Sequence, residues 1–72
     1  MNHGKQIRRE IGRQLGAIRR RKGLLLSKVA QDNNMGSNML DEIEMGFIRP
    51  WIFYHRLREY YGYDICLVEK KQ

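Results

Sequence analysis

Cysteine is almost missing from this 72-residue chain, with Cys66 its single representative. One thiol excludes an intrachain disulfide and any metal site built from thiols alone, and it points to a reducing, cytoplasmic setting. Long apolar runs are missing too. Stretches such as Leu24-Leu25-Leu26 fall far short of the ~20 residues that a membrane-spanning helix requires. The opening Met1-Asn2-His3-Gly4-Lys5 lacks the apolar core of a secretory signal. His3 and His55 stand far apart, without a cysteine or paired acid at ligand spacing, so no zinc site is expected. There is no Cys–His pair, Ser–His–Asp set or glycine-rich phosphate loop, and the expectation is a non-enzyme that holds no metal and no cofactor. A chain of this length buries only ~60% of its unfolded surface and makes one small domain at most.

What the chain does have is positive charge, unevenly spread. The formal net charge is +6. Residues 1–22 hold Lys5, Arg8, Arg9, Arg13, Arg19, Arg20, Arg21 and Lys22 against Glu10 alone, a net of +7. Residues 23–49 come to −2 and residues 50–72 to +1. A basic first third attracts a polyanion, either nucleic acid or an acidic membrane surface; the plainer reading is a solvated basic helix face.

Apolar spacing predicts four helices. Ile7, Ile11, Leu15 and Ile18 recur at helical intervals through residues 5–22, which places them on one face, and Gly23 follows as a left-handed stop. Gly12 and Gly16, four apart, each weaken a helix by ~1 kcal/mol against alanine, but leave room for a close helix approach. A shorter helix over 25–33 carries Leu26, Val29 and Ala30, with Ser27 near its start as a substitute cap. Asn33-Asn34-Met35-Gly36 is a turn cluster. A third helix, 37–45, has Met39, Leu40 and Ile43 as its stripe, Gly36 or Ser37 as cap and Gly46 as stop. Pro50 opens the fourth, which runs to Tyr61 and closes at Gly62. Trp51, Phe53, Tyr54, Tyr60, Tyr61 and Tyr63 crowd this last third, where core and dimer packing is the expected use and a base-stacking platform the alternative. The remainder, Asp64-Ile65-Cys66-Leu67-Val68-Glu69, is β-branched and apolar and reads as one strand.

In this register the stretch from Gly23 to Pro50 resembles the helix-turn-helix of the Cro/phage-repressor (lambda-repressor-like) family, and the resemblance extends over residues 5–62. Its carriers are Ile18-Arg19, Gly23-Leu24, the Val29-Ala30 pair, the anchors Leu40 and Ile43, and then Glu44, Gly46 and Pro50. Three positions depart from the family pattern. Asn34 stands where glycine is usual at the turn, Leu25-Leu26 replace a Ser/Thr-Gln pair, and Asn33 takes an apolar or threonine position.

The resemblance implies a mainly α fold: a four-helix lambda-repressor-like domain over 1–62, with the C-terminal strand and tail over 63–72 serving dimerisation. It implies base contacts from Ser37 and Asn38 at the start of the third helix and from Glu42 one turn on, and phosphate contacts from Lys28, Arg49 and Arg20. Arg19 and Glu44 are expected to pair as a structural ion pair, and Asp41 to face away from the DNA groove. The function implied is a repressor-like transcriptional regulator acting as a homodimer on double-stranded DNA. The alternatives are an antitoxin-type subunit that binds a toxin protein, and a helix-turn-helix scaffold used for protein interaction without DNA. Ile65, Cys66, Leu67 and Val68 are expected to pair with the same segment of a second copy. Rival uses are packing along the chain's own helices, with dimerisation through Trp51 or Tyr61, or addition to a partner's sheet edge.

Overall fold

The backbone leaves the helical region for positive φ at Gly23 (70°), Asn34 (59°), Gly46 (80°) and Gly62 (82°). These positions divide the molecule. The computed structural model describes residues 3–62, in which α1 (His3–Arg21), α2 (Leu26–Asp32), α3 (Ser37–Glu44) and α4 (Trp51–Tyr61) follow in order. The first three helices close with the same paired hydrogen bonds. Leu24 N–H donates to the Arg19 carbonyl at 3.0 Å, Met35 N–H to Ala30 at 2.9 Å and Phe47 N–H to Glu42 at 2.9 Å, each beside a shorter-range bond from the left-handed residue. This is the Schellman arrangement, which satisfies carbonyls that a helix end would otherwise strand. Asn34 fills the left-handed position of the α2–α3 turn without glycine, as short polar side chains can.

The four helices share one core. It comprises Leu15 and Ile18 of α1, Val29 and Ala30 of α2, Leu40 and Ile43 of α3, and Tyr54, Leu57 and Tyr61 of α4, all buried. Shortening a fully buried Leu40 or Ile43 to alanine is a change of the class that costs ~2–5 kcal/mol. Asn33 is the one buried polar residue among those described; its Nδ2 donates to the Val29 carbonyl at 2.8 Å and so folds back on its own helix. The Tyr54 hydroxyl donates to the Ile48 carbonyl at 2.6 Å and ties the α3–α4 connection to α4.

Two local expectations need correction. Ile7 does not share the burial of Leu15 and Ile18; it is half exposed. The α3–α4 connection meets α1 at Arg8 and Arg9, where Gly46 lies against the backbone, and Ile7 falls beyond that contact. Ser27 does not cap α2: Leu25 occupies the cap position with no side-chain hydrogen bond, and Ser27 lies inside the helix. Pro50, expected at or near the first position of the fourth helix, sits directly before α4, at its cap. No strand occurs among the described residues, and the segment Asp64–Glu69 with its dimerisation residues Ile65, Cys66, Leu67 and Val68 lies outside them.

Candidate nucleic-acid interface

The C-terminal half of α3 is clamped to α1. A Cβ on Gly12 would collide with the Ile43 carbonyl oxygen and stand 2.9 Å from that of Glu44, so glycine is what lets the end of α3 lie on α1. Beside it, Arg19 Nε donates to Glu44 Oε2 at 2.7 Å, Arg19 Nη2 to Glu44 Oε1 at 3.2 Å, and Arg19 Nη1 to the Leu24 carbonyl at 3.0 Å. The pair is largely shielded, its side chains 13% and 9% exposed. The Glu44 carboxylate, accepting these bonds, holds the Arg19 guanidinium above its ordinary pKa, and the charge of Asp41 acts in the same direction. Both sequence-derived partners are therefore together, and one guanidinium joins α1, α3 and the α1–α2 connection.

The opposite face of α3 is presented outward. Ser37 is half-buried, while Asn38, Asp41 and Glu42 are exposed. Gly36 caps the helix in an extended conformation with no side-chain hydrogen bond, so the first amides of α3 have no side-chain acceptor. Between α2, the turn and this helix start lies an open cleft of about 490 Å³ lined by Ser27, Ala30, Gln31, Asn34, Met35, Gly36 and Ser37. Hydroxyl, amide and backbone N–H groups around one opening can donate to phosphate and base-edge acceptors alike.

The cations expected to meet phosphate lie in different settings. Arg49 is exposed in the α3–α4 connection. Lys28 is exposed on α2, and its Nζ reaches Asp32 Oδ1 at 3.2 Å. An exposed pair of this spacing is worth ~0.3–0.5 kcal/mol, so a phosphate can compete for the lysine. Arg20 is exposed on α1, and its Nη1 stands 3.3 Å from where a Cβ on Gly16 would lie. All three expected phosphate cations, Lys28, Arg49 and Arg20, are thus exposed.

No protein-family model, curated protein or solved structure matches this chain.

Asp41, expected to face away from the groove, instead lies exposed on the outward face: ~100° of rotation per residue places it between Ser37 and Asn38, so that face carries two carboxylates. Helical spacing alone signals this. Gln31 and Asn34 border the same cleft as Ser37; Gln31, four residues after Ser27, could have been found from that interval. The link from Tyr60 to Asp32, a 2.6 Å hydrogen bond joining α4 to α2, has no sequence signal because 28 residues separate the partners. It keeps the Asp32 carboxyl below its ordinary range, with Lys28 contributing second. The Tyr61 hydroxyl is buried with no hydrogen-bond partner among the described residues, and burial pushes its phenol pKa up.

Proposed function

We propose that this chain is a cytoplasmic, non-enzymatic DNA-binding regulator whose α2–α3 pair is a helix-turn-helix of the Cro/phage-repressor kind, acting as a homodimer on a two-fold operator. The observation that carries this reading is the asymmetry of α3. Its C-terminal half is immobilised on α1 through Gly12 and the Arg19–Glu44 pair, while Ser37 and Asn38 at its N-terminal end stand beside an open polar cleft. A helix that reads base edges needs this combination, since a reader must be rigidly aimed and its leading end unobstructed. Asn38 supplies an amide that pairs bidentately with adenine, Ser37 a hydroxyl that donates or accepts, and Glu42 an acceptor for cytosine N4. Lys28 and Arg49 supply phosphate affinity.

A second reading, a protein-binding scaffold or antitoxin-type subunit, draws support from two observations. Asp41 and Glu42 make the outward face of α3 acidic, and Leu25, where the family carries a polar residue, is 71% exposed at the start of α2. A gel shift on the DNA upstream of its own gene, across a salt series, separates the two. A DNA reader loses affinity steeply and linearly on logarithmic axes as salt rises. Absence of any retarded complex at low salt would sink the DNA reading and leave the scaffold.

A further inference from the structure

The start of α1, the α3–α4 connection and the start of α4 meet at one end of the molecule. Gly46 lies against the backbone of Arg8 and Arg9, and α1 and α4 leave a groove of about 350 Å³ lined by Ile7, Ile11, Trp51, Tyr54, His55 and Arg58. The wall of the groove is mostly apolar. The Tyr54 hydroxyl is spent on the Ile48 carbonyl, and the Trp51 and Tyr54 rings stand 5.3 Å apart. Ile7 is 50% exposed and Trp51 39%; Ile52, next to Trp51, and Phe47, next to Gly46, are exposed as well. Apolar surface of this extent on a small domain marks an interaction site.

Charge at this end has one sign. The stretches 3–9 and 45–58 hold Lys5, Arg8, Arg9, Arg49, Arg56 and Arg58 without a single acidic residue, and the next carboxylate along α4, Glu59, meets Arg58 at 3.7 Å. Arg8 has a buried Nε with no hydrogen-bond partner among the described residues. It stands near the groove: burial pushes the Tyr54 phenol up, and the Arg8 charge opposes that push. An apolar depression is thus set among cations.

We propose that this end docks an acidic amphipathic segment of a partner protein, whose apolar side chains enter the α1–α4 groove beside Ile7 and Trp51 while its carboxylates meet the surrounding cations. Charge complementarity selects this occupant. A second copy would bring the same cations against themselves. Nucleic acid would satisfy the cations and leave the apolar groove unfilled. A concave wall suits protruding side chains better than a flat lipid surface, as when an amphipathic helix lies in a groove. Tryptophan is also among the residues that contribute most to protein interfaces. The inference does not depend on the DNA reading, and the groove shares no lining residue with the cleft beside α3.

Trp51 is the sole tryptophan of the chain, so its emission reads the groove directly. The probe is a synthetic peptide of Glu-Glu-Leu-Leu repeats titrated into the full chain. The expected result is a saturable blue shift that weakens as salt rises and is lost when lysine replaces glutamate in the peptide. Ile7→Asp should weaken binding ~tenfold, and Arg9→Glu with Arg56→Glu should weaken it and flatten its salt dependence, both with helical circular dichroism retained. An equal shift with the lysine peptide, or binding untouched by these variants, would reduce the groove to unselective apolar contact and overturn the inference. Phosphatidylserine vesicles that move the emission when the peptide does not would assign this end to lipid. A shift on concentrating the chain alone would assign it to a second copy. Either outcome, or no shift with the peptide, overturns the proposal.

Discussion

At its C-terminal end α3 meets α1 across a glycine, shares a shielded ion pair with it and buries Ile43 completely. At its N-terminal end, fewer than eight residues away, the same helix has a glycine cap without a side-chain bond and shows Asn38 to solvent. One end is fixed by contacts that tolerate no added atom, and the other is left with hydrogen-bonding capacity unspent. The difference shows how eight residues serve as both a structural strut and a presented surface. Stability resides at one end and recognition at the other, so the two should respond separately to substitution.

The strongest way to break this comparison is at the clamp. Arg19→Ala leaves Glu44 shielded from water and unpaired, a change of the class that costs ~3–5 kcal/mol. Urea unfolding should show that loss; an unchanged midpoint would mean that the ion pair holds nothing. Gly12→Ala comes next. The helix-propensity gain of ~1 kcal/mol is outweighed by the collision with the Ile43 carbonyl, which neither backbone can relieve without separating α1 from α3. Overpacking of this kind costs ~1–3 kcal/mol. A more stable Gly12→Ala protein would show that the α1–α3 contact is looser than described.

At the presented end the effects should fall on DNA and spare the fold. Asn38→Ala should lose ~1–3 kcal/mol on the specific site and little on random DNA, with unfolding unchanged. Arg49→Ala should weaken both DNAs and lower the salt slope by about one. Equal losses for both variants on both DNAs would show that α3 enters the groove in another register.

The smallest effect sharpens the role of the neighbouring helices. The Tyr60 bond to Asp32 depresses a carboxyl whose ordinary value is 3.8, so its contribution is present above that value and disappears as pH falls through the lower folded one. The stability difference between parent and Tyr60→Phe should therefore be small near neutrality and vanish in acid. A difference that persists at the lowest pH would assign it to ring packing instead of the hydroxyl.

Much of this architecture was legible in the residues themselves. Gly23, Asn34, Gly46 and Gly62 marked the helix ends because only a few residue types accept a left-handed backbone, and that preference is local. The apolar stripes of Leu15 with Ile18, Val29 with Ala30, and Leu40 with Ile43 announced the core because a period of 3.6 leaves one face to bury. The same reading extended its stripe to Ile7 and gave Ser27 a capping role. Periodicity cannot tell where a neighbouring element stops covering a helix, and composition near a helix start does not fix which residue turns first. Whether Gly12 was a weakness or a contact, how far the Arg19–Glu44 pair is shielded, and how far Asp41 shares the outward face were decided by packing. Those depend on how elements distant in sequence approach one another, and such distances are set by the summed fit of the whole core rather than by any one segment.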